Sequence, residues 1–311
     1  LVEGSNRDPV VRGTPVQDLD SLPLLNYRLL EGYETLSIIP IMTSRGCPFD
    51  CSFCTVTKIF GRQFRMQSPE RVMAEVRNAL SCFATRDVFF YDDNFTANRR
   101  RIDQLCDRLL QENCDISWTA QVRSDIAREP ELLAKMARAG CRWFYIGFES
   151  INDATLKALH KAQTRRDVET AIQTIHAHGI SIHGMFIFGE DHDSVESLRQ
   201  TVDFAIRQEI DTVQFMVLTP FPGTQLQAQL AAQGRILHTR WEYYNGLYAV
   251  FSPAQMSAVR LQTETIQAYR RFYSFRRLLV DSIRLSLDIL LDAMTWNFRR
   301  VFRYGLKLVF I

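Results

Sequence analysis

The stretch Leu36-Ser37-Ile38-Ile39-Pro40-Ile41-Met42-Thr43-Ser44-Arg45-Gly46-Cys47-Pro48-Phe49-Asp50-Cys51-Ser52-Phe53-Cys54 decides how the chain is read. It begins as an apolar, Ile-rich run of strand length. It continues as a polar loop with cysteines spaced Cys-x3-Cys-x2-Cys. Three thiolates on one tight loop can ligate three irons of a cubane cluster and leave the fourth open to a small molecule. A structural zinc site would want a fourth Cys or His at knuckle spacing, and none follows. Cys82, Cys106, Cys114 and Cys141 read as core or incidental residues.

Outward from this loop the same rhythm repeats. Strand candidates are Leu36–Met42, Asp87–Tyr91, Ile116–Gln121, Arg142–Gly147, Ser181–Phe188 and Thr212–Leu218. Several are nearly continuous apolar runs, as expected of parallel strands covered on both faces. Helical stripes fall between them. Ser68 caps one that starts at Pro69 and carries Val72, Met73, Val76 and Leu80 on one side. Gly140 and Gly179 stand where left-handed helix stops are expected. Six β-then-α units predict right-handed crossovers and a parallel sheet, with ligands at the C-terminal ends of the strands. An open doubly wound sheet and a partial barrel both satisfy the pattern. No Gly-x-Gly-x-x-Gly turn supports dinucleotide binding.

Bulk properties set outer bounds. The 311 residues carry a net charge of +2, which makes no global case for nucleic acid. Seven cysteines, an odd number with three clustered, suit metal binding in a reducing compartment better than a disulfide framework. A cytoplasmic protein is expected. Residues 1–35, with Pro15-Val16-Gln17-Asp18-Leu19-Asp20-Ser21-Leu22-Pro23, read as a linker. The chain starts at Leu1 rather than Met, and a domain is expected before it. Residues 36–235 form the expected core, and 236–311 a helical C-terminal extension. In that extension Arg299, Arg300, Arg303 and Lys307 flank aromatics, which allows a peripheral membrane contact. The run Glu190-Asp191-His192-Asp193 reads as a solvated loop and helix start.

With the Cys-Pro-Phe-Asp-Cys-Ser-Phe-Cys loop after the first strand, the chain resembles the radical S-adenosylmethionine (SAM) superfamily, over roughly residues 38–224. The resemblance implies a partial (βα)6 TIM-like barrel. It also implies a [4Fe-4S] cluster on Cys47, Cys51 and Cys54, whose open iron SAM chelates before reductive cleavage to methionine and a 5′-deoxyadenosyl radical. Carried over by position, Phe53 would contact adenine. Asp92, Asp93 and Asn94 would meet the methionine amino group, although the family's usual pattern there is two glycines and an acid. Arg123 and Ser150 would reach the SAM carboxylate, and Glu149 a ribose hydroxyl or another site residue. Gly184 and Ile187 would form the adenine wall. Leu218 would open the Pro-rich turn that closes the pocket.

Within the superfamily, the cysteine loop, Asp92-Asp93-Asn94 and the Asp-x-Leu-Asp-Ser-Leu-Pro segment look most like the class with an N-terminal cobalamin-binding domain. No Asp-x-His-x-x-Gly pattern occurs here, so any cobalamin would be bound by sequence outside this chain. The expected reaction is methylation, oxidation or rearrangement of a small or lipid-like substrate, with a flavodoxin- or ferredoxin-like reductant. Rival readings are a methylthiotransferase acting on RNA or protein, and a non-catalytic iron–sulfur or zinc module. The first lacks the extra cysteines and small β-domain it would need.

Overall fold

A computed structural model describes residues 13–275 together with 277 and 279. Six strands form one all-parallel sheet in chain order: β1 Ile39–Ile41, β2 Asp87–Phe90, β3 Ser117–Val122, β4 Cys141–Glu149, β5 Ser181–Phe188 and β6 Thr212–Val217. Seven main helices accompany them: α1 Pro69–Cys82, α2 Arg99–Gln111, α3 Pro130–Arg138, α4 Arg165–Ala177, α5 Val195–Arg207, α6 Gln225–Ala232 and α7 Ala258–Phe272. A sheet whose order never reverses, built with right-handed crossovers, keeps all its helices on one side and curls about its own concave face. This settles the choice left open above: the fold is an α/β partial barrel, not a doubly wound sheet.

Burial alternates along the strands accordingly. Val88, Phe90, Trp118, Ala120, Phe144 and Ile146 face the helices and are fully covered, in one core with Val72, Val76, Ile102 and Leu105. The alternate residues point to the concave side and stay partly open. The caps foreseen in the sequence are present: the Ser68 side chain accepts from the Arg71 amide at the start of α1.

Three boundaries differ from expectation for local reasons. β1 shortens to three residues, since Leu36 and Ile38 are exposed and Pro40 lacks an amide hydrogen, which an edge strand tolerates. β4 lengthens to Glu149 through a bulge against β5 between Gly147 and Glu149. The segment before β1 is anchored rather than free. Leu19 and Tyr27 are buried, Arg65 donates to the Val16 carbonyl at 2.6 Å, and Asn78 donates to the Leu25 carbonyl at 2.8 Å.

The opposite edge is closed from the C-terminal side. The outward amides of β6 donate to the Tyr273 hydroxyl from Val213 (2.9 Å), to the Tyr269 hydroxyl from Phe215 (3.0 Å), and to the Gly246 carbonyl from Val217 (2.7 Å). Unpaired edge amides would otherwise invite another strand. Residues 233–257 are largely non-helical, with an isolated bridge between Ile236 and Phe251. The membrane-contact expectation for Arg299, Arg300, Arg303 and Lys307 lies outside the described residues. Among the described residues, no helix is long and apolar enough to cross a membrane.

Candidate active site

The cysteine loop leaves β1 at the C-terminal rim of the sheet. Its entry is held by a buried network that starts at Asp92, just past β2. Asp92 is fully buried, and its carboxylate accepts from the Thr43 amide (2.5 Å), the Thr43 hydroxyl (2.6 Å), the Ser44 amide (3.1 Å) and the Ser44 hydroxyl (2.8 Å). Arg101 of α2, also buried, donates to the Thr43 hydroxyl at 2.5 Å and to the Gln67 carbonyl at 2.7 Å. Burial pushes the Asp92 carboxyl up, opposed by Arg101 and by the Thr43 and Ser44 donors. Both Asp92 oxygens, expected at the SAM amino group, accept from the loop here. Thr43 and Arg101 were not singled out in the sequence, and a lone Arg on a helix gives no local sign of where its side chain ends.

Gly46 turns the chain into the loop with φ +86°, and a Cβ there would come within 2.5 Å of the Gln63 carbonyl oxygen. Glycine is the residue that fits such a turn. Beyond it the loop is tied down at Ser52. Its amide donates to the Leu159 carbonyl at 3.2 Å, and its own carbonyl accepts from the Leu226 amide at 3.1 Å. Cys47, Cys51 and Cys54 are free, half-buried thiols between these anchors. Burial pushes the Cys47 thiol up and the Cys54 thiol up to about 11. Phe53, also half-buried, packs against the core. Among the described residues, no three His, Cys, Asp or Glu side chains converge as the ligand set of one metal ion. Three thiols spread over one loop suit the separate corners of a cluster better than a single ion. Cys82, Cys114 and Cys141 lie at the opposite, N-terminal end of the strands.

The other rim residues bring charge. Asp93 is half-buried and lies close enough to raise both Cys47 and Cys54; its Oδ2 is buried without a partner, and burial pushes its own carboxyl up. Asn94 is buried, and its Oδ1 also lacks a partner. Arg123 follows β3 with its guanidinium 3.8 Å over the Phe49 ring, and its buried Nε is unpaired. Glu149 ends β4 in the left-handed region at φ +64° and accepts from Lys161 Nζ at 2.8 Å, both groups being buried. A non-glycine residue in that conformation costs about 1–3 kcal/mol and tends to mark a site. Gly147 makes room for the pair, because a Cβ would strike the Glu149 carboxylate. Lys161 was missed in the sequence; it sits in a loop with no motif to single it out.

Four further rim and strand positions complete the set. Ser150 is buried, and its hydroxyl accepts from the Asn152 amide at 3.0 Å, which orders the following turn. The missing side chain of Gly184 faces Phe148 and Ile210, at 3.3 and 3.2 Å from an added Cβ. The absent side chain lets β5 pack closely against β4 and the loop before β6. Ile187, two residues on from Met185, points to the concave side. Leu218 is buried, with its amide on the Phe188 carbonyl at 2.8 Å.

The rim residues fit an amphoteric ligand beside a cluster. Orphaned oxygens on Asp93 and Asn94 can accept from an ammonium, and Arg123 and Lys161 can pair a carboxylate.

Comparison with known proteins agrees. The sequence profile of the Radical SAM superfamily matches residues 41–205. The chain belongs to the radical SAM superfamily. It is 31% identical over 276 residues to the bacteriochlorophyllide d C-12(1)-methyltransferase of Chlorobaculum tepidum, covering 88% of this chain and 59% of that protein. It is 28% identical over 270 residues to the anaerobic magnesium-protoporphyrin IX monomethyl ester cyclase of Rubrivivax gelatinosus, covering 83% of this chain and 47% of that one. Among solved structures it shares its fold with the radical SAM methyltransferase TsrM of Kitasatospora setae, solved with cobalamin and a [4Fe-4S] cluster. That match has a TM-score of 0.59 and 20% identity over 76% of this chain and 46% of that one. The chain thus spans between about two-fifths and three-fifths of the length of these proteins. Radical SAM membership implies a [4Fe-4S] cluster and SAM as cofactors.

Proposed function

We propose that this chain holds a [4Fe-4S] cluster on Cys47, Cys51 and Cys54 and cleaves SAM reductively to functionalise a small or lipid-like substrate by methylation, oxidation or rearrangement. The observation that carries this reading is the anchored cysteine loop facing unpaired rim groups. When bound, the cluster supplies the electron that breaks a carbon–sulfur bond of SAM. The residues of the chain do the rest. Asp92 and Arg101 fix where the thiolates stand. Asp93 and Asn94 accept from the SAM ammonium, and Arg123 and Lys161 hold its carboxylate. Glu149 keeps Lys161 in place and offers its second oxygen to a ribose hydroxyl. Phe53 and Ile187 pack on the base, and Leu218 with the following Pro-rich turn covers it. Fixed partners of this kind hold the reacting atoms close and exclude water.

Cobalamin is proposed as a further cofactor, bound by sequence outside this chain. The class resemblance and the cobalamin seen in the related fold support it. A flavodoxin- or ferredoxin-like reductant and a cytoplasmic setting with peripheral membrane contact complete the proposal.

Anaerobic reconstitution tests it. The purified chain should bind about four irons with matching sulfide and form 5′-deoxyadenosine from SAM and dithionite. Cys51→Ala should abolish both. A wild-type chain that takes up zinc but no iron–sulfur cluster would sink the proposal.

A further inference from the structure

A polar cleft of about 190 Å³ lies between the short helical turn that follows β3, Ser124–Arg128, and the N-terminal end of α4. It is too small for a drug-sized molecule and suits a single small group. Arg123 lines it; this residue is only 8% exposed, and its Nε is buried without a partner. The neighbouring polar side chains are held in place. Ser124 donates to Gln163 Oε1 at 2.5 Å, and Gln163 Nε2 donates to the Phe148 carbonyl at 2.8 Å.

Both acids that line the cleft are already spent. Asp125 accepts from Arg99 at 2.9 Å. Asp167 accepts from the Thr164 amide and hydroxyl at 2.8 and 2.7 Å, and from Arg128 at 3.2 Å. What remains is positive. Arg166 lines the cleft, is exposed and meets no carboxylate among the described residues, and Arg123 keeps its unpaired Nε. The start of α4 adds to this. Its Arg165 amide donates to Asp153 at 2.7 Å and its Asp167 amide to Thr164 at 3.2 Å, while the Arg166 amide meets no acceptor among the described residues. The first turn of a helix of 13 residues carries partial positive charge.

We infer that this cleft binds a small oxyanion, the phosphate or carboxylate group of a small molecule, between Arg123, Arg166 and the start of α4. Two guanidinium groups with unspent donors can pair such a group, and the burial of one of them strengthens the pairing over that on an open surface. The cleft also communicates with the cluster loop. The Arg123 guanidinium lies 3.8 Å over the ring of Phe49, which stands between Cys47 and Cys51. The same guanidinium is proposed to hold the SAM carboxylate, so an anion in the cleft shares that cation with SAM. The two bind antagonistically, and by linkage each weakens the other equally. An anionic metabolite would thereby tune SAM occupancy. The coupling rests on the proposed SAM reading; binding of the anion itself does not.

The test titrates the reconstituted protein with inorganic phosphate, against chloride at equal ionic strength. Phosphate should bind with a Kd of about 1 mM or tighter. Arg166→Glu, a change at an exposed position, should weaken it about tenfold or more, and Lys161→Met should leave it unchanged. Saturating phosphate should weaken SAM about fivefold in wild type and not in Arg166→Glu. Binding of phosphate no better than chloride would overturn the inference. So would loss of phosphate binding in Lys161→Met rather than in Arg166→Glu, which would put the anion in the place of the SAM carboxylate. Phosphate binding without any effect on SAM would overturn the coupling through Arg123. Iron content and SAM titration without phosphate, measured on the same samples, report separately on the cluster and SAM reading.

Discussion

The rim and the concave face are built from alternate ends of the same strands, yet they treat charge in opposite ways. The rim collects Asp93, Arg123, Glu149 and Lys161; Glu149 and Lys161 pair, while Asp93 Oδ2 and Arg123 Nε are buried without a partner. The face immediately below carries rings, thioethers and neutral amides. The contrast teaches that one small barrel can sort its charge along its strands, because an unpaired ion is costly to bury on the neutral face.

The strongest way to break this division is at its foundation. Asp92→Ala leaves the Thr43 and Ser44 donors without their shared acceptor and removes the negative charge that Arg101 faces. It should cost roughly 3–5 kcal/mol of stability and most of the iron uptake. Thermal denaturation and iron content check it, with Asp92→Asn restoring part of both. Next comes the rim itself. Lys161→Met should lower SAM affinity by about 10- to 100-fold, roughly 1.4–2.8 kcal/mol, with iron content unchanged. Calorimetric titration of SAM would show this, and unchanged affinity would remove Lys161 from the site. Glu149→Gln should weaken SAM by a smaller factor, since it keeps the shape of the pair but loses its charge.

The face gives a pH signature of opposite origin. The His183 pKa is depressed from 6.5 to about 4, so the unfolded chain takes up this proton first as pH falls. Its contribution to stability is complete above about 6.5 and declines as pH falls toward 4. Asp193 works the other way: burial raises it from 3.8 to about 6, so the folded chain gains that proton first, and its contribution falls as pH rises through this window. Comparing wild type with His183→Phe by thermal melts between pH 4 and 7 isolates the histidine. The variant should lose the decline that wild type shows below pH 6.5. The smallest effect concerns packing behind the face. Gly184→Ala pushes a methyl to about 3.2–3.3 Å of Ile210 and Phe148, and should cost about 1–3 kcal/mol without altering SAM affinity.

Much of this was readable in the residue order. The strands that carry the site appear as apolar-rich runs at the right spacing, because one face is buried under the helices and the other is only partly open. The cysteine loop is legible because its ligands are neighbours in sequence. Asp93, Arg123 and Glu149 could be picked out because a charged residue directly after an apolar strand lands at the rim. Lys161 and Arg101 could not, because each reaches the site from a loop or helix with a long side chain whose direction no local pattern encodes. Asp92 and Asp93 show the limit most closely. They are adjacent and chemically identical, yet one is saturated by loop donors and the other is left with a buried orphan oxygen.

The sequence by itself determined the periodicity, the turn glycines and the metal-ligand spacing, all of which act over a few residues. Only the tertiary structure decided that the sheet curls rather than lies open, which carboxylate clamps and which stays free, and that the concave face is uncharged. Those outcomes depend on strand order and on contacts between residues as far apart as Thr43 and Arg101. Their energies come from desolvation and pairing that exist only once the chain is folded.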